Sequence, residues 1–306
     1  MSDLILHHYA MSPFSEKVRL MLGCAGLSWQ SVIVAEMPPR PHLKALAGGY
    51  RRIPVAQSGA DIFCDSRIIS SEIAALARRP ELAQSNINPQ HQAFVSNAEL
   101  EVFLACVLSA DGKKLFGELR RNTSTLHVLR FLWDRINMGR KAKVKAAGPG
   151  RAKQVVRDHL AQLEDMLSTD FIAGDQPTAV DFTGYHGLWF VRDLGGSSVV
   201  SGYPKVDAWM NRMGALGHGR QTEISIDQAI EEARRTEPRD LPESDTRDPL
   251  LGKLVSVAPI DYGRDQVVGL LVASNEERWI VQREHALCGR VHVHFPRQGF
   301  AARAAG

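Results

Sequence analysis

The chain has 306 residues and a mass of 33.8 kDa, a length that suggests about two domains. Hydrophobic residues make up 44 % and charged residues 23 %, globular proportions that exclude a wholly disordered chain. With 37 basic and 34 acidic residues the net charge is +3, too near neutral to mark a nucleic-acid-binding protein by itself.

From the N-terminus, Leu4-Ile5-Leu6-His7-His8-Tyr9 reads as a short strand, followed by the turn Ala10-Met11-Ser12-Pro13. Pro13 suits the first turn of a helix, where its missing N–H is not needed. Val18, Met21, Leu22 and Ala25 then recur at helical spacing until Gly26 stops them. Trp29 to Ala35 is apolar and β-branched and reads as a second strand. Pro38, Pro39 and Pro41 stiffen a loop or short helix, and Gly48-Gly49 breaks it. Ile53-Pro54-Val55 and Asp61-Ile62-Phe63-Cys64 flank the turn Ser58-Gly59 as two hairpin strands. Asp65-Ser66 precedes a helix whose apolar face carries Ile69, Ile73, Leu76 and Ala77. This order predicts a small mixed sheet with helices on both faces, over residues 1–82.

The stretch Ser12-Pro13-Phe14-Ser15-Glu16-Lys17-Val18-Arg19 resembles the active-site turn of soluble glutathione transferases of the serine type. Ile53-Pro54-Val55 and Asp65-Ser66-Arg67-Ile68-Ile69 follow at that family's spacing, and the likeness covers residues 1–235. It implies an α/β thioredoxin-like N-terminal domain and an all-α C-terminal domain. It implies a cis peptide before Pro54, turning the Ile53 backbone toward the ligand. The Ile53 N–H and C=O would then pair with the cysteinyl backbone of reduced glutathione like an added strand. Asp65 and Ser66 stand where the family holds the γ-glutamyl end, Ser66 at a helix N-terminus suited to a carboxylate. Plain helix capping is the other reading of this pair. Arg40, His42 and Lys44 are open alternatives for the glycyl carboxylate. Ser12 matches the thiol-activating position: its hydroxyl would donate to the glutathione sulfur and lower the thiol pKa from about 8.5. Ser15 and Tyr9 rank behind it, and Ser12 can also be read as a cap alone. Serine rather than cysteine at this position argues against disulfide reduction.

Residues 88–235 read as the helical domain. Pro89 opens a helix to about Ala110, with Phe94, Ala98, Glu101, Ala105 and Leu108 on one face and Val95, Val102 and Cys106 beside it. Leu126 to Met138 is a second helix. Gly139 to Lys153 holds six basic residues and no acid, fit either for an anionic partner or for a solvated loop; no interleaved aromatics support stacking on bases. Val155 to Leu167 is helical. Thr178 with Asp181 forms a capping box before a helix whose Phe182, Tyr185, Leu188, Trp189 and Val191 are expected core. Tyr203-Pro204 to Met213 is the next helix, with Trp209 inside.

Pro238 to Pro249 reads as a linker. Beyond it the period changes to that of strands: Lys253 to Pro259, Gln266 to Ser274, Arg278 to Arg283 and Arg290 to Phe295. A small antiparallel β appendage over 250–300, marginal in size for independent stability, is expected to pack on the helical domain or on a partner subunit. His285, Cys288, His292 and His294 crowd this tail without a metal-finger spacing, so no metal site is assigned. Arg278, Arg283, Arg290 and Arg297 suggest a basic face. Cys24, Cys64, Cys106 and Cys288 are scattered without a CxxC pair, which fits a reducing cytoplasm. Clean apolar runs such as Val267 to Ala273, with seven members, fall far short of the about twenty that a membrane helix needs. Asp3, His7 and His8 argue against a signal peptide.

The resemblance implies an enzyme that activates the thiol of reduced glutathione, its cosubstrate, for attack on a small hydrophobic electrophile. No prosthetic group is expected. Met11, Phe14 and Met37 would line the second-substrate pocket, with Val102 or Cys106 opposite. Dehalogenation and isomerisation use the same thiolate and are not separable here from conjugation. A non-catalytic binding or protein-interaction module on the same scaffold is the alternative. The family further implies a homodimer; the β appendage departs from its common layout.

Overall fold

The computed structural model describes residues 3–112 and 148–305 and, between them, Lys114, Leu115, Gly117, Leu126, Arg130, Phe131, Trp133, Asp134 and Asn137. More than half of the helix expected at Leu126–Met138 and most of the basic segment lie outside the described residues. Arg151 and Lys153, at the end of that segment, sit in a helix.

Strand β1 (Leu4–His8) is buried at every position, as its near-continuous apolar run requires of a central strand. Helix α1 (Pro13–Cys24) starts at Ser12 with Pro13 in its first turn, and Gly26 at φ +66° follows its end. Strand β2 (Ser28–Ile33) runs parallel to β1, with His8 beside Ile33. Helix α2 (Pro41–Ala47) ends at Gly48 in the left-handed region, where a residue without Cβ is favoured. Strands β3 (Val55–Ser58) and β4 (Asp61–Cys64) form the expected hairpin, and helix α3 (Ser66–Ala77) follows.

The helical part opens with α4 (Gln92–Asn97), a π segment (Ala98–Val102) and α5 (Phe103–Ser109). The π turn changes the expected face. Phe94, Ala98, Val102, Ala105 and Cys106 are buried, but Glu99 takes the buried place that regular spacing assigned to Glu101, and Leu108 is 46 % exposed. One inserted residue rotates everything beyond it around the helix axis. By length and composition Pro89–Ser109 is long and apolar enough to cross a membrane; its buried face belongs to the core shared with α1 and the other helices.

Helix α6 (Pro149–Met166) is followed by the capping box of Thr178 and Asp181 and by α7 (Ala179–Trp189). Asp181 is fully buried, accepting from Ile172 N–H at 2.8 Å, Thr178 N–H at 2.9 Å and Trp209 Nε1 at 3.0 Å. Those donors compensate its burial and tie α7 to α8 (Pro204–Ala215). Phe182, Tyr185, Leu188 and Val191 are core as expected; Trp189 is half-buried.

Residues 220–235 return to the sheet: β5 (Arg220–Glu223) pairs parallel with β2, and α9 (Ile226–Arg235) follows. The tail does the same on the other side. It forms β6 (Leu254–Pro259), β7 (Val267–Ser274), β8 (Arg278–His285), β9 (Gly289–Pro296) and β10 (Phe300–Ala304). Among the described residues it packs mainly on the N-terminal sheet and, of the expected helical domain, on α9, whose Ala233 shares its core. Strand β9 pairs parallel with β4, placing Asp61 beside His292 and Phe63 beside His294. The result is a ten-stranded sheet in the order β10-β6-β7-β8-β9-β4-β3-β1-β2-β5.

The physical reason lies in β4. Without the tail it would be an edge strand with unpaired backbone groups and an apolar face. The tail covers both, and Tyr50, Ile53, Val55 and Ile62 share one core with Val255, Val257, Val267 and Val281. Strand β10 returns to β6 after a three-residue connection from β9, so the tail strands curl toward a barrel. The four tail arginines form no common face: Arg283 donates to Ala45 O, Arg290 pairs with Glu237, Arg297 with Asp248, and Arg278 with Glu277.

Candidate functional site

Register brings the three sequence motifs to one end of the sheet. His7 at the end of β1 faces Val55 at the start of β3, and Val55 faces Cys64 at the end of β4. The chain leaving β1 carries Ser12, the chain entering β3 carries Ile53-Pro54, and the chain leaving β4 carries Asp65-Ser66. Parallel pairing brings the end of β2, and so the segment toward Met37, to the same edge.

Ser12 is 2 % exposed, and its Oγ accepts from Ser15 N–H at 3.2 Å, so it caps α1. Ser15 lies inside the first turn, buried, and its own hydroxyl has no partner among the described residues. Tyr9 contributes its carbonyl, which accepts from Ser12 N–H at 3.2 Å. The Ile53–Pro54 peptide is cis, and Ile53 is buried. Asp65 caps α3, accepting from Arg67 N–H at 3.1 Å. Its φ of +97° lies where residues with a side chain are rare, a conformation that persists where surrounding contacts over-determine it. Ser66 is 5 % exposed at the helix start.

The basic candidates on and before α2 are placed differently. His42 Nδ1 lies 3.6 Å from Asp227 on α9, and Lys44 is exposed. Arg40 donates to Ala35 O at 2.7 Å and Arg51 O at 2.8 Å, fixing the loop. Of the pocket candidates, Phe14 packs between Phe103 and His186, with ring centroids at 4.8 and 4.6 Å. Met11 and Met37 are half-buried.

Around Asp65 the structure assembles a chain of alternating charge. Lys17 Nζ is 3.3 Å from Glu99 Oε1, Glu99 also pairs with Arg67, Arg67 is 4.0 Å from Asp65, Arg52 is 3.6 Å from Asp65, and Arg52 pairs with Asp261 of the tail. Three cations and three anions balance. Lys17 is 1 % exposed and Glu99 8 %. Burial pushes the Glu99 carboxyl up, but Lys17, Arg67 and the hydrogen bond from Gln84 outweigh it and bring it down to about 2. Burial lowers the Lys17 pKa against the opposing pull of Glu99.

Arg52 and Arg67 had a sequence signal that went unused, since each adjoins a motif. Lys17 stood inside the first motif without a role. Glu99, Asp261 and Tyr262 had none, because tertiary folding alone brings them to Asp65.

The tail histidines are dispersed. His294 Nε2 lies 2.8 Å from Asp61, Cys288 Sγ faces Ala45 O at 3.6 Å, and the His285 ring accepts from Leu287 N–H at 3.2 Å. Among the described residues, no three His, Cys, Asp or Glu side chains gather as a metal ion would require. A cavity of about 320 Å³ opens along the β4–β9 seam, lined in part by Asp61, Glu72, Arg239, His292 and His294. It shares no residue with the charge chain. Asp61 also accepts from Arg239 N–H at 2.9 Å, and Arg239 pairs with Glu72 at 2.7 Å, while His292 Nδ1 and His294 Nδ1 are buried with no partner among the described residues.

Comparison with known proteins follows the same division. Residues 6–81 match the family "Glutathione S-transferase, N-terminal domain", and residues 120–216 match "Glutathione S-transferase, C-terminal domain". No match is found among curated proteins. A GST-like protein from Pseudomonas syringae is 33 % identical, with 98 % of this chain and 100 % of that chain covered and a TM-score of 0.76. A glutathione S-transferase from Sinorhizobium meliloti 1021 is 19 % identical over 70 % of this chain and 89 % of that one, with a TM-score of 0.49. A glutathione transferase homologue from Sulfitobacter, solved with bound glutathione, is 18 % identical over 70 % of this chain and 94 % of that one, with a TM-score of 0.46. The Pseudomonas relative matches the tail as well as the two family domains, and on that end-to-end similarity this chain belongs to the glutathione S-transferase family.

Proposed function

We propose that this protein binds reduced glutathione and activates its thiol for attack on a small hydrophobic electrophile. The observation that carries the reading is the register that brings Ser12, cis-Pro54 and Asp65-Ser66 to one end of the sheet. The Ile53 N–H and C=O pair with the cysteinyl backbone as an added strand would. The Ser66 N–H, at the start of a twelve-residue helix, favours the γ-glutamyl carboxylate. Asp65 accepts from the α-ammonium group. His42 or Lys44 takes the glycyl carboxylate.

Ser12 serves the cap and the thiol together. A hydroxyl has two lone pairs and one proton. The cap uses a lone pair, accepting from Ser15 N–H, and leaves the proton to donate to sulfur. At 2 % exposure for Ser12 water competes little for that bond, which stabilises the thiolate relative to the thiol. The thiol proton leaves to solvent, and the thiolate sulfur then forms a bond to the electrophilic carbon as that carbon's bond to its leaving group breaks, the leaving group departing with the bonding electron pair. Met11, Phe14 and Met37 bound the electrophile. A cytoplasmic homodimer is part of the same proposal.

Calorimetric titration with reduced glutathione, followed by an electrophile panel, tests the reading. Binding in the micromolar to low-millimolar range with turnover in the panel supports it. No detectable binding overturns it and leaves the scaffold to a non-catalytic role.

A further inference from the structure

We propose that the tail loop Asp261–Gly263 completes the γ-glutamyl end of the glutathione site by positioning Arg52, and that it thereby sets a preference for ligands carrying an α-carboxylate. This rests on the glutathione reading above and extends it to a segment outside the two matched family domains.

Arg52 directly precedes Ile53, yet most of its partners come from the tail. Its guanidinium pairs with the Asp261 carboxylate, donates from Nε to Tyr262 O at 3.2 Å, and lies 4.0 Å from the centroid of the Tyr262 ring. Gly263, at φ +55°, brings the backbone close enough that a Cβ there would touch the side chains of Arg51 and Arg52. From its own domain Arg52 has Asp65, at 3.6 Å. The second arginine beside Asp65 is also reached by the tail: Arg67 donates to Gln298 O at 3.4 Å, and Gly299 lies against its guanidinium.

A free arginine samples many rotamers and loses that freedom on binding a carboxylate. Here the stacking ring and the two oxygen acceptors hold the planar fork beforehand, so less freedom is lost when an anion arrives. The local charge is also suited to a zwitterion. Arg52 and Arg67 offer donors for an α-carboxylate and Asp65 an acceptor for an α-ammonium, while Asp261, paired with Arg52, balances the second arginine so that there is no net charge to overcome. Asp261 and Tyr262 are therefore positioning residues, acting through Arg52.

The test compares glutathione with 4-aminobutyryl-cysteinylglycine, which keeps the amine and lacks the α-carboxylate. Both are titrated into the full-length protein, into Asp261→Asn/Tyr262→Ala, and into Asp261→Asn/Tyr262→Phe, which restores the stacking ring. Wild type is expected to prefer glutathione by about tenfold, the scale of a charge-assisted hydrogen bond. The alanine double variant should lose most of that ratio while keeping its affinity for the analogue, and the phenylalanine variant should recover part of it. Equal weakening of both ligands, or an unchanged ratio, overturns the inference and leaves the loop a structural latch. A wild type that binds glutathione with no preference over the analogue also overturns it. A wild type that binds neither refutes the parent reading instead.

Discussion

Lys17 and Glu99 stand 82 positions apart in the chain and meet at 3.3 Å where α1 packs against the helical part. Both are nine-tenths buried, and Gln84 bridges them, accepting from Lys17 at 3.2 Å and donating to Glu99. A buried ion pair adds little net stability, but removing one partner strands the other. Glu99→Gln should therefore destabilise the protein by about 3–5 kcal/mol. Replacing both, as Lys17→Met with Glu99→Leu, should recover a large part of that loss, the remainder reflecting Arg67. Urea unfolding of the single and double variants checks this; a double variant no more stable than Glu99→Gln would contradict it.

Ser12→Ala should separate the two uses of that hydroxyl. Losing the cap to Ser15 N–H costs about 1 kcal/mol, seen as a fall of a few degrees in Tm. Losing the donor to sulfur should raise the pKa of the bound thiol, read from thiolate absorbance across a pH titration, and depress turnover far more than the stability loss explains. Ser12→Thr keeps both functions and should restore both signals. A variant with lowered Tm and unchanged thiol pKa would leave Ser12 a cap alone.

Acid should unfold this protein through its histidines before its carboxylates. Burial brings His7 down to about 4 against its hydrogen bond with Gln57, and brings His186 down to about 3. In the unfolded chain both bind a proton near pH 6.5. Between that pH and the folded values the unfolded state holds more protons, so stability falls as pH falls. Each such histidine contributes a slope of roughly 1 kcal/mol per pH unit in that window. Glu99 adds to the loss from about pH 4.5 down to its folded value near 2, because its depressed pKa stabilises the fold above that range. Tm measured from pH 7 to pH 3 should decline from about pH 6.5, and His7→Gln should flatten the upper part of the decline. A flat Tm down to pH 4.5 would refute the assignment.

Deleting residues 250–306 should not leave a working two-domain remnant. It would strip β4 of its partner β9 and expose Tyr50, Ile53, Val55 and Ile62 of the shared core. An open edge with an apolar face is prone to association. The truncated chain is expected to aggregate or to lose cooperative unfolding; a soluble monodisperse product with the parent's Tm would show that the sheet is independent of the tail.

Local order was written in the sequence by itself. Pro13 after Ser12, the glycines ending α1 and α2, the Thr178–Asp181 capping box and the alternation of the tail strands are rules of neighbouring residues, and these elements formed close to where they were expected. Family resemblance located Ser12, Ile53-Pro54 and Asp65-Ser66 as motifs. The tertiary structure decided what those motifs touch. A π turn, invisible to a regular period, buried Glu99 rather than Glu101. Backbone groups left open at the edge of β4 drew the tail strands to the sheet. Ion pairs between residues 82 and more than 200 positions apart placed Lys17 beside Glu99 and Arg52 beside Asp261. No periodicity encodes such pairings, because charge acts through space and the chain's path through that space is set by burial of the core.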